Sequence, residues 1–261
     1  MRLTLVVGIY LMLVTGTARA QDWTPPENPD PQEILREAKE DKKQRRYDIA
    51  LAKYVWFHHH ALEYRESLSG VRLSYALSDW HDLADVYQPA MVELEQVRLA
   101  AHDRALESKG RKVFQPFHDY SGISRELGLD SDTKLLFHKI EEQQDEDKIS
   151  TALIVAKDVL AKLNDYETLG RHIDPEEDFD KAWDNFRMHN RMLKEGKLNA
   201  SIKDFAERKF KDESAVLIIT LVKNDRQEEA NKLYETAKRA WDDPTYHSIL
   251  DKALTGEKSK R

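Results

Sequence analysis

The run Tyr54-Val-Trp-Phe-His-His-His-Ala-Leu-Glu-Tyr64 sets three consecutive histidines among aromatic side chains and beside Glu63. Imidazoles and carboxylates hold transition metals and move protons near neutral pH, so the run invites a metal or acid–base reading. The spacing argues against a three-histidine centre. Residues Tyr47 to Arg65 read as a helix. At 100° per residue from Tyr47, Ala50, Leu51, Tyr54, Ala61 and Leu62 fall within about 60° of one line, which marks the core face. His58 lies near the centre of that face at about 20°, His59 at about 120° and His60 at about 220°, with Trp56 at about 180° and Glu63 at about 160°. Three imidazoles pointing three ways cannot converge within about 2 Å of one ion.

Each histidine therefore has its own reading. His58 belongs to the core as a neutral imidazole satisfied by one hydrogen bond. His59 and Glu63 form an i, i+4 pair that could ligate a metal but is more often an ordinary surface pair. Trp56 and His60 lie opposite the core and, with His59 and Glu63, make up the candidate binding residues. They either meet a partner or pack on a neighbouring element.

No catalytic residue is assigned and no cofactor is expected. The remaining histidines, at 81, 102, 118, 138, 172, 189 and 247, make no HExxH and no paired metal spacing. His118-Asp119-Tyr120 reads as a loop or helix cap. A G-x-S-x-G elbow, a phosphate-cradling glycine loop, a dinucleotide fingerprint and a cysteine nucleophile are all missing from the sequence. The acidic runs Glu141 to Asp147 and Asp174 to Asp178 lack the EF-hand spacing and read as solvated linkers.

The elements that must carry these residues are helical. Asp30-Pro31-Gln-Glu33 is a helix start, with Asp30 as N-cap and Pro31 in the first turn. Beyond it, long segments rich in Ala, Leu, Glu, Lys and Arg are broken before residue 200 only by Pro89, Pro116 and Pro175. The β-branched run Ala215 to Val222 could be a strand, but Asp212-Glu213-Ser214 resembles a helix start and Asn224-Asp225 a stop, so a buried helix is expected. The fold class is all-α.

Three segments repeat a pattern of aromatic, small residue three on, and aromatic four further: Tyr47-Ala50-Tyr54, Phe179-Ala182-Phe186 and, without the first aromatic, Ala230-Tyr234. They resemble the second helix of a tetratricopeptide repeat, while Trp80-Leu83-Ala84-Tyr87 and Tyr166-Leu169-Gly170-Ile173 resemble the first. The stretch Tyr166 to Phe186 holds both halves. Ala182 and Ala230 lie 48 positions apart, not the 34 of a regular array. The resemblance implies one domain over 31–254, an irregular array of antiparallel helical hairpins wound as a right-handed α-solenoid, and the binding of a protein or peptide along a groove between hairpins. Ser69 to Trp80 is also similar to exported bacterial helical proteins without an assigned activity.

The ends point to export. MRLTLVVGIYLMLVTGTARA has Arg2, an apolar core from Leu3 to Val14 and a small-residue end, so residues 1–20 read as a signal peptide cleaved after Ala20. Its apolar run is shorter than a membrane span, and no integral membrane segment is expected after cleavage. A proline-rich lead-in follows at 21–30, and a frayed basic tail closes the chain at 255–261. The formal charge is −7 and becomes −9 once Arg2 and Arg19 leave with the leader, which argues against a nucleic-acid partner. Export without any cysteine fits a bacterial periplasm or exterior. The sequence thus favours an exported, non-catalytic binding scaffold, for which self-association is a further outcome. The alternative is an exported metal-binding protein or metal-dependent enzyme using His and carboxylate ligands.

Overall fold

Aspartates start many of the helices. In the computed structural model, which describes residues 23–199 and 201–257, the side chains of Asp30, Asp145, Asp165, Asp174 and Asp243 each accept a backbone N–H in the first turn of the helix that follows. Pro31, Pro175 and Pro244 add a preset φ at the first helical position, where no amide hydrogen is needed. The described residues form thirteen α-helices and no strand: α1 (Pro31–Lys43), α2 (Tyr47–Tyr64), α3 (Ser69–Arg72), α4 (Tyr75–Ala84), α5 (Gln88–Glu107), α6 (Phe114–Glu126), α7 (Asp130–Glu141), α8 (Glu146–Lys162), α9 (Tyr166–His172), α10 (Pro175–Lys194), α11 (Ser201–Lys223), α12 (Gln227–Ala240) and α13 (Pro244–Leu254). The all-α reading holds, and Ala215 to Val222 lies inside α11.

Helix ends share one device. The three-residue connectors 44–46, 127–129, 163–165 and 224–226 each place their middle residue in the left-handed region, at Arg45, Gly128, Asn164 and Asp225. In each, the third residue's amide reaches back to a carbonyl five positions earlier, as from Arg46 to Asp41 at 2.9 Å and from Asp165 to Leu160 at 2.8 Å. This closes the last turn and sends the chain back antiparallel.

The chain divides into two compact units, with the boundary between Leu94 and Glu95 inside α5. In the first unit α1 pairs with α2, and α4 packs on both. Lys39 meets Asp79 at 2.6 Å and Lys42 meets Asp82 at 3.2 Å, so later residues of α1 face later residues of α4 and the two run in the same direction. Ile34, Ala38, Ala50, Tyr54, Phe57, Ala61, Leu77, Trp80 and Leu83 are buried there.

In the second unit the same rule joins alternate helices. Arg98 meets Asp132 at 3.1 Å, the Lys139 ammonium donates to His102 at 3.4 Å, and Gln143 donates to the Leu106 carbonyl at 3.3 Å, which sets α5 parallel to α7. Lys134 to Asp165 at 2.9 Å and Glu141 to His172 at 2.7 Å set α7 parallel to α9. The fully buried Lys148 of α8 donates to the carbonyls of Leu106 and Ser108 and to Gln143 at 2.6–2.8 Å, closing the C-terminal end of α5. Further on, an aromatic core gathers around Phe210: Phe186 stacks on it at 5.0 Å, and Trp183, Tyr246, Phe179 and Trp241 surround it at 5.2–6.0 Å.

The half-motifs sit where their small residues are useful. Ala50 and Ala230 are fully buried and Ala182 nearly so. Helix α9 packs on α8 and α11, and α10 packs on α11 and α12, so the two halves within Tyr166 to Phe186 share α11 as a neighbour. His118-Asp119-Tyr120 lies within α6, not in a loop or cap. Asp119 there accepts from Gln115 one turn back at 2.7 Å, and the Tyr120 hydroxyl accepts from Arg98 at 3.2 Å. The signal-peptide reading of 1–20 and the residues Lys258 to Arg261 of the tail lie outside the described residues.

Candidate functional site

Helix α2 buries Ala50, Lys53, Tyr54, Phe57, His58 and Ala61, while Leu51 and Leu62 are only half-buried. On the same wheel those six side chains centre near 310°, about 50° round from the expected line. The rotation brings Lys53 inside. Its ammonium meets Glu37 at 2.7 Å and Asp41 at 2.8 Å. Burial works against that charge, but the two carboxylates outweigh it and hold the ammonium's pKa above its ordinary value. Arg46 also engages Asp41. The buried Tyr54 hydroxyl is pushed well above its ordinary pKa, first by desolvation and then by the charges of Asp79, Asp82 and Asp41.

The three histidines occupy three environments. His58 is buried, and the Arg72 guanidinium donates to its Nε2 at 3.2 Å and to its carbonyl at 3.3 Å. An arginine N–H can only donate, so Nε2 accepts and the ring proton sits on Nδ1. The Trp80 ring meets His58 edge-on at 6.0 Å. His59 is exposed, its ring perpendicular to that of His58 at 5.4 Å. His60 is half-buried, and its Nδ1 lies 3.1 Å from Glu63, so a neighbour three positions away takes the carboxylate that the sequence had paired with His59.

Outward of this core α2 carries a ladder of rings at successive turns. Trp56 lies 5.5 Å from His60 and 5.8 Å from Tyr64, at tilts of 34° and 38°. Trp23 of the lead-in meets Trp56 edge-on at 6.4 Å, and the Lys53 ammonium sits 5.7 Å from the centre of the Trp23 ring. The structure thus brings Trp56, His60 and Glu63 together and adds two aromatics, Trp23 and Tyr64, that the wheel had not assigned to the patch.

A second constellation was missed in sequence. His102, His138 and His172 stand one on each helix of the row α5, α7, α9. The Glu141 carboxylate accepts from His138 Nδ1 at 2.8 Å, His172 Nε2 at 2.7 Å and Arg171 at 3.0 Å. Asp165 faces His138 Nε2 at 3.4 Å and Lys134 at 2.9 Å while capping α9 through the Thr168 amide at 3.2 Å. Because carboxylates only accept, both contacts of His138 are satisfied together when the ring carries both protons. His102 differs: Nδ1 faces Asp103 at 2.9 Å and Nε2 accepts from Lys139, an arrangement suited to the neutral ring. Burial opposes ionisation of Glu141 and Asp165. The donors on Glu141, and Lys134 with the Thr168 amide on Asp165, outweigh it and hold both carboxyls below their ordinary range. Glu141 and Asp165 already have the cations Arg171 and Lys134 as partners, which makes the constellation a clamp between helices. The signal was present as histidines 36 and 34 positions apart.

Among the described residues no three of His, Asp and Glu come together in a metal-ligating group, and no helix is long and apolar enough to cross a membrane. No family model, no curated protein and no solved structure matches the chain.

Proposed function

We propose that this protein is an exported, non-catalytic scaffold of tetratricopeptide-like hairpins that binds a protein or peptide, with the outer face of α2 as its contact surface. The observation that carries this reading is the ring ladder Trp56–His60–Tyr64, whose outer ring remains 54% exposed. Aromatic side chains concentrated on a surface supply large contact area at low entropic cost and are enriched where proteins meet. His60 and Glu63 give that surface a polar edge. Within the first unit, α1 pairs with α2 and α4 packs on both, which supports it by fixing the orientation of that face. The leader-like residues 1–20 support export to a bacterial periplasm or exterior.

Selection of a displayed random-peptide library on the purified chain tests binding. The expected result is enrichment of a common peptide pattern that is lost on Trp56→Ala. Enrichment unchanged by Trp56→Ala, or none at all, overturns this assignment of the surface. The mass of the N-terminal fragment from the native host tests export, since a chain still beginning at Met1 contradicts the leader reading.

A further inference from the structure

The lead-in is the one described segment that touches the α2 ladder without belonging to a helix. Trp23 is half-buried, whereas Thr24 through Asn28 are exposed, so five residues span open solvent between one docked indole and the start of α1. An extended stretch held at its far end by a single ring is a strap. Its composition is distinctive: Pro25, Pro26 and Pro29 stiffen it, and Glu27 and Asp30 make it acidic. Lys53 sits over the Trp23 ring, and Arg65 donates to the Gln32 side chain just past the strap. The cation beneath the ring is itself paired, since Lys53 is buried against Glu37 and Asp41. Trp56 in turn meets both His60 and the exposed Tyr64.

We propose that the strap is an intramolecular ligand: Trp23 occupies one end of a recognition surface made by Lys53, Trp56, His60 and Tyr64. Its external ligand is a proline-rich peptide bearing an indole, presented by another protein. This rests on the peptide-binding reading of α2 and specifies it. The chemistry follows from what is already seated there. Lys53 gives the indole a cation on its face and Trp56 gives it an edge contact. Proline-rich segments suit aromatic surfaces because little conformational freedom remains to be lost on docking. A short tether supplies an effective concentration on the order of 1 mM or above. An external peptide of roughly 100 µM intrinsic affinity therefore meets a surface that is self-occupied by about tenfold.

The test uses a fluorescent peptide of the sequence Gln21 to Asp30, titrated by anisotropy onto the full chain and three variants. Trp23→Ala should bind it about tenfold more tightly than the unaltered chain. Trp23→Ala with Trp56→Ala should lose that binding, and Trp23→Ala with Tyr64→Ala, which touches only an exposed ring, should weaken it several-fold. Equal affinity of Trp23→Ala and the unaltered chain overturns the proposal, as does binding that survives Trp56→Ala, or no binding to Trp23→Ala. If library selection still enriches peptides while Trp23→Ala ignores the lead-in sequence, self-occupancy falls and the peptide-binding surface stands.

Discussion

The Asn224 side chain occupies the space that Gly170 leaves open. Its amide donates to the Tyr166 carbonyl of α9 and to the Thr220 carbonyl of its own helix, both at 2.7 Å. A Cβ at position 170 would lie 2.3 Å from Asn224 Nδ2 and 2.4 Å from its Cγ. Arg226 donates to the Gly170 carbonyl at 3.2 Å, so α9 is held to the end of α11 by two side chains at once.

Gly170→Ala should therefore cost about 2 kcal/mol, the usual scale for forcing a methyl into packed space. For a chain of this length that lowers the melting temperature by roughly 4–8 °C. Asn224→Ala relieves the clash while losing both hydrogen bonds, so the double variant should fall short of the sum of the single losses. Calorimetry on the four proteins checks this, and strict additivity would contradict the contact.

Acid should loosen the α7–α9 clamp. The carboxyls of Glu141 and Asp165 are held below their ordinary pKa values when folded. A depressed carboxyl contributes stability that is fully present above its unfolded value and disappears as pH falls through the folded one. Urea unfolding should thus weaken progressively from about pH 4.5 downward. Glu141→Gln should be less stable at pH 7 and show a flatter acid limb. A limb as steep as that of the unaltered chain would remove Glu141 from the account.

Lys148 is a buried charge satisfied by backbone. Desolvation lowers the pKa of its ammonium, and Asp145 only partly offsets this. Lys148→Met removes the charge but strands the Leu106 and Ser108 carbonyls, and the loss should be about 3 kcal/mol. In the unaltered chain the folded pKa is the lower one, so stability should rise between the folded and unfolded values as pH approaches 10. That rise should be missing from Lys148→Met in denaturant titrations at pH 8 and 10.

The left-handed turn residues offer the opposite sign. Arg45 and Gln144 hold φ near +60° without the asparagine or glycine that such a position favours. Arg45→Gly and Gln144→Gly should each raise stability by about 0.5 kcal/mol, while Gly128→Ala should lower it by about 1 kcal/mol. Chemical denaturation midpoints measure all three. A loss on Gln144→Gly would mean that its side chain contributes more than its backbone costs.

Periodicity made the helices legible because apolar spacing and capping aspartates are local signals, as Asp30 and the run Ala215 to Val222 show. The buried position of His58 was legible for the same reason. Lys53 was not: a wheel centred on Tyr47 reads an ammonium as solvent-facing, and only the approach of Glu37 and Asp41 from α1 makes its burial tolerable. The partnership of Glu63 with His60 turns on rotamers that spacing does not specify. Trp23 was read as part of a solvated lead-in, because nothing local says that an indole will find Trp56 more than thirty positions away. The clamp of His138, Glu141, Asp165 and His172 was hidden because it joins helices through space, with no contiguous motif.

The same-direction rows also shape how the chain acquires its structure. The side-chain links between α5 and α7 span 34 to 37 positions and those between α7 and α9 about 31. Each new hairpin can thus dock on one already made, and growth from the N-terminal side never waits for distant sequence, which favours rapid assembly. Exceptions include the contacts of Asn224 with Tyr166 and of Arg226 with Gly170, 58 and 56 positions apart, with all of α10 between them. Until α11 is complete, α9 is held by α8 and by the side-chain clamp from α7 alone. The Gly170–Asn224 contact can form only after α11 does, and slowed refolding in Gly170→Ala is the kinetic signature expected of it.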